Sequence, residues 1–262
     1  MPEGDTIHKI ARAIAPRLEG RTLASFRMSG DPTLDLRGRR VDLVEARGKH
    51  LLVAIEGDLL VRTHLGMHGS WHRYSTGERW KRPERQASVV LATENDVFVC
   101  FNAKESECVR VRGARANAAL ERLGPDLVAE EDPDFDDIVA RAEHMLEAEA
   151  PVVDALLHQG IACGIGNVYK AEVLFLHRLH PLRRLETLEE GQLEELYRTA
   201  RRLLRENLHG GARATRTARD GAGELWVYGR GGRECFECGE RIASEVLGRG
   251  RRITYWCPAC QR

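Results

Sequence analysis

Long apolar runs are absent from this sequence of 262 residues, and their absence excludes several classes of protein. No stretch of about 18 consecutive apolar residues exists, so we expect no segment to cross a membrane as a helix. The first residues also lack the apolar core of a secretory signal peptide. We therefore predict a cytoplasmic protein that has no membrane as a partner.

A net charge is missing as well, because 40 basic residues balance 40 acidic ones. Residues 1–119 and 161–262 nevertheless each have a balance of +5, whereas residues 120–160 have a balance of −10. Two basic segments joined by an acidic one can bind a polyanion such as DNA, which would associate the protein with the nucleoid. Scattered, solvated surface charge is the alternative interpretation.

Cysteine is sparse except near the C-terminus. Three of the seven cysteines are isolated, and the other four form two C-x-x-C pairs. Cys235 and Cys238 are separated by 18 residues from Cys257 and Cys260, a spacing that suits two knuckle turns joined by a β hairpin. Four thiolates so arranged can enclose one structural Zn²⁺ with no open coordination position. Two disulfides are the alternative, which conflicts with the lack of a secretion signal.

Reactive groups are found at the N-terminus, where Pro2 and Glu3 precede a helical pattern. A methionine ahead of a small residue is commonly trimmed, which would leave the Pro2 nitrogen as a free secondary amine. An α-amino group titrates near ~7.7–8, and a secondary amine that attacks an aldehyde-like carbon gives an iminium. Glu3 can supply or accept a proton at the same centre. The alternative is that Pro2 merely starts the chain and Glu3 is a solvated charge.

The N-terminal segment combines one helix with many short strands. Apolar residues recur at helical spacing from Ile7 to Leu18, and Asp5 or Thr6 is placed to cap this helix. From about residue 21 to 113 the pattern is β, since short apolar runs alternate with turns. We predict a two-layer β sandwich.

Two loops of this segment contain candidate functional residues. Lys49, in Arg47-Gly48-Lys49-His50, lies just before a strand and can reach a phosphate or a second proton-transfer position; an ordinary strand-edge lysine is the alternative. Met67 lies at or near the tip of the loop 63–71, where an apolar side chain can be a wedge inserted into a base stack. Such a methionine more often folds back onto the core.

The C-terminal half is helical and follows an acidic connection. Gly124-Pro125-Asp126 and the acidic run after it predict a solvated linker. Further on, the turn Gly164-Ile165-Gly166-Asn167 leads into a helix, with Asn167 as its N-cap. Backbone N–H groups at such a helix start can form a phosphate site, and a capped helix hairpin is an equally good interpretation.

The hairpin between the two cysteine pairs is basic. Arg249, Arg251 and Arg252 surround its turn, with Tyr255 and Trp256 behind them. This arrangement is typical of a surface that faces nucleic acid, and Arg252 has the character of a groove-inserting residue. A solvated basic hairpin tip is the alternative.

Five motifs occur in the order found in one family of repair enzymes. They are Pro2-Glu3-Gly4, Arg47-Gly48-Lys49, Gly164-Ile165-Gly166-Asn167, Val227-Tyr228-Gly229-Arg230 and the four-cysteine ribbon that ends Tyr255-Trp256-Cys257-Pro258-Ala259-Cys260-Gln261. Over its whole length the chain resembles the formamidopyrimidine-DNA glycosylase/endonuclease VIII family. The resemblance implies a DNA glycosylase with AP lyase activity that binds damaged DNA and needs no cofactor besides one structural zinc.

The resemblance also implies roles for individual residues. Pro2 would attack C1′ of a damaged nucleotide extruded from the duplex, and Glu3 would protonate the sugar ring oxygen or the departing group. Lys49 would contact phosphate and assist elimination, and Arg252 would act on phosphate late in elimination. The residues that would contact DNA without taking part in the chemistry are Met67 as a void-filling wedge, Arg122 and Asn167.

Departures from the family's pattern indicate a branch. The chain begins Pro-Glu-Gly rather than Pro-Glu-Leu-Pro, residues 103–107 replace an arginine–arginine–phenylalanine–glycine segment, and residues 210–226 are short for a base-capping loop. These differences favour the endonuclease VIII-like branch, acting on oxidised pyrimidines and abasic sites, over the branch specific for 8-oxoguanine and formamidopyrimidine. Thr6 also stands where the family usually has a glutamate.

We therefore predict an α+β multidomain protein, most simply a monomer. Its parts are a helix-flanked β-sandwich catalytic domain (1–119), an acidic linker (120–132), a helix–two-turns–helix DNA-binding domain (133–223) and a zinc finger (224–262). A catalytically idle zinc-ribbon protein that recognises damaged or branched DNA is the alternative from another class. The joint presence of Pro2, Glu3 and Lys49 argues against it.

Overall fold

The computed structural model describes residues 1–111, 118–218 and 223–262, in two compact units, Met1–Glu121 and Arg122–Arg262. The described helices are α1 (Gly4–Leu18), α2 (Ala118–Glu121), α3 (Phe135–Met145), α4 (Val152–Leu157), α5 (Asn167–Leu176) and α6 (Gln192–Glu206). The described strands are β1 (Ser25–Met28), β2 (Val41–Arg47), β3 (His50–Ile55), β4 (Leu59–His64), β5 (Ser70–Ser75), β6 (Ala87–Ala92), β7 (Asp96–Phe101), β8 (Glu105–Arg110), β9 (Ala243–Leu247) and β10 (Arg252–Trp256). Among the described residues, no helix is long and apolar enough to span a membrane.

Two four-stranded antiparallel sheets form the N-terminal unit, in the orders β1-β6-β7-β5 and β2-β3-β4-β8. Alternate side chains of each strand point to one face, so every strand can contribute to a shared core. Val53 of β3, Val89 of β6 and Phe98 of β7 belong to one buried cluster that includes residues of both sheets. The predicted two-layer β sandwich is confirmed.

Helix α1 packs against β2 and β3 through a buried apolar stripe. Its N-cap residue is Glu3 rather than Asp5 or Thr6, although the Thr6 side chain takes part in a capping box at the start of the helix. The reason is that Thr6 occupies the third helical position, from which its hydroxyl accepts a hydrogen bond from the Glu3 N–H at 3.5 Å. The buried stripe consists of Ile7, Ala11, Ile14 and Leu18.

Helix α5 lies at the centre of the C-terminal unit. Every residue from Asn167 to Phe175 is buried, and side chains of α3, α4, α5 and α6 form one hydrophobic cluster. The N-cap of α5 is Gly166, and Asn167 is the first helical residue, so the prediction of Asn167 as N-cap is wrong. Strands β9 and β10 pair antiparallel from Ala243↔Trp256 to Leu247↔Arg252, which confirms the hairpin between the cysteine pairs.

The acidic segment that the sequence indicates as a solvated linker is partly attached to the C-terminal unit. Leu127 and Val128 are buried in its core. The Arg201 guanidinium of α6 donates to the carbonyl oxygens of Leu127 at 3.0 Å and Glu131 at 3.0 Å, and to the Asp132 carboxylate at 2.9 Å. An acidic segment can therefore still pack against the C-terminal unit, because one buried arginine satisfies several of its backbone acceptors at once.

Candidate functional site

The start of α1 encloses the N-terminal candidates. Pro2 is half-buried and Glu3 is fully buried. The Glu3 carbonyl accepts hydrogen bonds from the N–H groups of Thr6 at 3.0 Å and Ile7 at 3.2 Å, which fixes the backbone immediately after Pro2. Glu3 is thus a buried carboxyl group next to the Pro2 nitrogen in the chain, rather than a solvated charge.

Lys49 occupies a two-residue hairpin turn between β2 and β3. Arg47 pairs with His50, so Gly48 and Lys49 alone form the turn. Gly48 has φ +56°, the left-handed conformation that such hairpin turns need and that glycine adopts without strain. The turn presents a half-buried lysine at the end of the two strands against which α1 packs.

A polar cluster that the sequence does not indicate lies beside this turn. His50 and His64 face each other across β3 and β4, with ring centroids 5.0 Å apart. Arg62 donates to Nδ1 of His50 at 2.9 Å and also binds the carboxylates of Glu107 at 2.6 Å and Glu105 at 3.2 Å. Burial, together with the neighbouring His64 and Arg62, lowers the pKa of His50 to about 3. The His50 ring is therefore a neutral hydrogen-bond acceptor at physiological pH.

Met67 lies on the loop that connects β4 in one sheet to β5 in the other. It is 59% exposed, so it does not fold back onto the core. Gly69 allows the tight return of this loop: a Cβ there would lie 2.5 Å from the Leu65 carbonyl oxygen, whose hydrogen bond with the Gly69 N–H closes the loop at 3.0 Å. The structure thus places one apolar side chain in solvent on a narrow loop.

Two further candidates, Asn167 and Arg252, are brought together in the C-terminal unit. The Asn167 side-chain amide donates to the carbonyl oxygen of Ile253, the residue after Arg252, at 2.6 Å. Lys170, which is fully buried, donates to Asn167 Oδ1 and to Thr254 Oγ1, each at 2.7 Å. Arg252 itself is exposed at the start of β10. Lys170 was not among the candidates that the sequence indicated.

Glu172, another charged residue of α5, is also fully buried and was missed. Its Oε1 accepts hydrogen bonds from the N–H groups of Val227 at 3.0 Å and Tyr228 at 2.8 Å. Its Oε2 accepts from the N–H of Trp226 at 2.8 Å and from the Thr215 hydroxyl. One carboxylate therefore holds the segment that precedes the cysteine cluster. Both Lys170 and Glu172 could have been recognised in the sequence, because they are charged residues in a helix that otherwise has no polar face.

Arg122 is exposed at the start of the C-terminal unit. Its backbone lies beside the turn that precedes α5, because a Cβ on Gly160 would be 3.0 Å from the Arg122 carbonyl oxygen. Gly124 lies even closer to this turn, since a Cβ added at Gly124 would be 2.3 Å from the Ile161 carbonyl oxygen. Glycine at both positions lets the chain containing Arg122 approach the turn that leads to Asn167.

The four C-terminal cysteines form one cluster. Their sulfur atoms all lie within 4.8 Å of one another, with Cys235 Sγ 3.9 Å from Cys260 Sγ and Cys238 Sγ 3.4 Å from Cys257 Sγ. These separations exceed a disulfide bond of about 2.05 Å, so the disulfide alternative is not what the structure contains. Four sulfurs about 2.3 Å from a central ion would lie about 3.8 Å apart in a tetrahedron. The cluster can therefore hold one metal ion.

Known protein families account for most of this chain. The formamidopyrimidine-DNA glycosylase N-terminal domain matches residues 1–106, and the formamidopyrimidine-DNA glycosylase H2TH domain matches residues 123–219. The chain belongs to this family of DNA-repair glycosylases, which includes the proteins named endonuclease 8.

Individual relatives extend over the full chain. A protein named "Probable endonuclease 8 2" from Streptomyces coelicolor is 40% identical over 268 residues, covering 100% of this chain and 94% of its own. A DNA-(apurinic or apyrimidinic site) lyase from Mycolicibacterium smegmatis is 36% identical, with 100% and 99% covered. A solved structure of a complex between Lactococcus lactis Fpg and DNA that contains an abasic site has a TM-score of 0.81 at 22% identity over 99% of both chains. That structure shows the shared fold.

Proposed function

We propose that this protein is a bifunctional DNA glycosylase/AP lyase of base-excision repair. It removes oxidised bases, chiefly pyrimidines, through a Schiff base at Pro2, and then cleaves the strand by β/δ-elimination. The observation that supports this most directly is the placement of Pro2 beside the fully buried Glu3 at the start of α1, in a chain of this family.

The chemistry consists of base excision, formation of an iminium and two eliminations. After Met1 is removed, the Pro2 nitrogen attacks C1′ of the extruded nucleotide, the glycosidic bond breaks, and the base departs with a proton supplied by Glu3. The proton on the attacking nitrogen then passes to the ring oxygen O4′ as the C1′–O4′ bond breaks, and the nitrogen lone pair forms an iminium with C1′. The positive charge of the iminium acidifies C2′–H. Loss of that proton expels the 3′ phosphate, and a second elimination expels the 5′ phosphate. Lys49 and Arg252 bind these phosphates.

The other candidates bind DNA. Met67, exposed on its narrow loop, fills the space that the extruded nucleotide leaves. Arg122 and Asn167 bind the phosphate backbone beside the lesion. The amide of Asn167 uses one N–H for Ile253, and a side-chain amide has a second N–H that can donate to a phosphate. The protein acts as a monomer in the nucleoid.

Zinc is the metal that suits the cysteine cluster. Four thiolates at tetrahedral separations, with no vacant position, are a donor set for structural Zn²⁺. Cys235, Cys238, Cys257 and Cys260 would hold this single ion. Its contribution is to fold the region around β9 and β10, since a ribbon of this size has few apolar residues of its own. Arg252 thereby depends on zinc for its position.

Borohydride reduction in the presence of abasic-site DNA tests the proposal. The mature protein should form a covalent adduct with the DNA, and mass spectrometry should locate it at Pro2. Pro2→Gly should abolish or greatly weaken base excision. Two matched variants each replace one lysine amine by an amide. Lys49→Gln should slow strand cleavage, whereas Lys81→Gln, which changes an exposed lysine of the same unit, should not. A mature protein that binds this DNA but forms no adduct would instead be an idle damage-recognition protein.

The lesion preference needs a separate comparison. Duplex and single-stranded oligonucleotides containing thymine glycol, dihydrouracil, 8-oxoguanine or an abasic site should be cleaved at different rates, with the pyrimidine lesions and the abasic site fastest. Residues 103–107, which replace the segment typical of the purine-specific branch, support this order. Fastest cleavage of 8-oxoguanine would assign the protein to that sister branch.

A further inference from the structure

Lys170 makes contacts that concern function as well as folding. It is fully buried in α5 and its Nζ donates to two side chains from distant parts of the chain, Asn167 Oδ1 and Thr254 Oγ1, both at 2.7 Å. Burying an amine is costly unless hydrogen bonds replace its hydration. An apolar residue would fill this position at lower cost if packing were the only requirement.

The contacts of Lys170 determine the orientation of the Asn167 amide. A lysine ammonium group can only donate, so the amide oxygen of Asn167 must face it. The Ile253 carbonyl can only accept, so the amide nitrogen must face β10, 2.6 Å away. A flipped amide would oppose donor to donor and acceptor to acceptor. Lys170 therefore fixes the direction in which Asn167 presents its N–H groups.

The same contacts hold the strand that contains Arg252. Side chains two residues apart in a strand point to the same face, so Arg252 lies on the face of β10 from which Thr254 reaches Lys170. The chain that precedes Arg252 is anchored by a separate contact. There the Arg249 N–H donates to the buried Asp154 carboxylate of α4 at 2.8 Å. The hairpin is thus attached to the helices both before and after Arg252.

We propose that Lys170 is a positioning residue for DNA binding: through Asn167 and Thr254 it holds β10 so that Arg252 meets a phosphate of the bound DNA. This inference rests on the proposed function, because it takes Arg252 as a phosphate contact. Lys170 itself touches no DNA. It acts through the side chains to which it donates.

Lys170→Met tests the proposal, because methionine has a similar length and no hydrogen-bond donor. The probe is a duplex with a tetrahydrofuran abasic analogue, whose Kd is measured across a range of salt concentrations by fluorescence anisotropy. Loss of one phosphate contact should reduce the slope of log K against log salt by about 0.9 and weaken binding about eightfold at ~0.1 M salt. Arg252→Met and Lys170→Met should each give this change, and the double variant no more than either alone.

Controls separate positioning from stability. Lys81→Met should leave both Kd and slope unchanged. Thr254→Val preserves the side-chain shape but removes one Lys170 contact and the hydrogen bond that the Thr254 hydroxyl donates to the Arg252 carbonyl oxygen at 3.1 Å, so it should reproduce part of the slope change. Thr254→Ser keeps the hydroxyl and should not change the slope; this pair decides the matter if Lys170→Met fails to fold. Circular dichroism and metal content verify that each variant is folded. A purely structural Lys170 would lower the melting temperature without changing the slope.

The outcomes distinguish this inference from the proposed function. If wild type is trapped by borohydride and Arg252→Met changes the slope, but Lys170→Met and Thr254→Val do not, the positioning role is refuted. Full additivity of Lys170→Met and Arg252→Met refutes it as well. If the mature wild type forms no adduct and Arg252→Met leaves the slope unchanged, the proposed function is what fails.

Discussion

Glu172 offers a direct test of how one buried carboxylate organises the C-terminal unit. Glu172→Gln retains the shape of the side chain but replaces one acceptor oxygen by an NH₂ group. Four donors face the carboxylate: the backbone N–H groups of Trp226, Val227 and Tyr228 and the hydroxyl of Thr215. Whichever oxygen is replaced, at least one buried backbone N–H then faces another donor.

The size of the effect follows from these contacts. An unsatisfied buried N–H costs about 1–3 kcal/mol, and each remaining hydrogen bond weakens by about 1 kcal/mol because its acceptor is no longer charged. Two such bonds remain, so we expect a loss of about 3–5 kcal/mol in the free energy of unfolding. For a chain of this size each kcal/mol shifts Tm by about 2–4 °C, which gives a decrease of about 6–20 °C.

Calorimetry of wild type and variant measures this decrease. Glu195→Gln is the matched control: it makes the same chemical change in an exposed side chain of α6, whose ion pair with Arg198 is long at 3.8 Å. Exposed ion pairs contribute only about 0–1 kcal/mol, so this control should shift Tm by little. A Glu172→Gln protein that melts within about 1 °C of wild type would refute the reasoning.

Three other predictions concern separate parts of the molecule. The pKa of His50 is lowered to about 3 in the folded protein, against about 6.5 in an unfolded chain. The free energy of unfolding should therefore fall as the pH drops below ~6.5, by up to ~1.4 kcal/mol per pH unit until pH ~3. Urea titrations of His50→Asn should show a smaller decrease over the same pH range than those of wild type. Cys257→Ser should lower the metal content from about one zinc per chain and disorder the ribbon, and a fully metallated variant would contradict the assigned ligands. Met67→Ala should leave Tm unchanged, since the side chain is 59% exposed, but weaken binding to abasic-site DNA; unchanged affinity would exclude the wedge.

Local patterns in the sequence were sufficient for several features. The C-x-x-C pairs with their 18-residue separation predict a cysteine cluster joined by a hairpin, because each ligand pair needs only its own turn. The β sandwich is predictable from runs and turns, although β2 and β5 are not evident as separate strands. Strand β5 has the sequence Ser-Trp-His-Arg-Tyr-Ser, which does not alternate clearly between apolar and polar residues. In β2, Leu43 is 45% exposed, so its apolar residues do not all lie on the buried face.

Features that depend on pairing between distant segments were not predictable. His50 and His64 meet because of the register between β3 and β4, and Lys170 meets Thr254 from 84 residues away. The sequence pattern of α5 predicts only an apolar, buried helix. The roles of its two charged residues, Lys170 and Glu172, become clear only when their hydrogen-bond partners from distant segments are known. Capping was misassigned at α1 and α5 because the true caps, Glu3 and Gly166, depend on backbone geometry that residue preference does not specify.

The burial of Lys170 and Glu172 has a consequence for synthesis of the chain on the ribosome. Helix α5 emerges before the segments that satisfy its charges, which follow 54 residues later at Trp226 and 84 residues later at Thr254. Until then the helix contains two charged groups that disfavour burial. We therefore expect a nascent or truncated chain that ends before Thr254, which cannot form the contact between Lys170 and Thr254, to be more sensitive to proteases than the full chain.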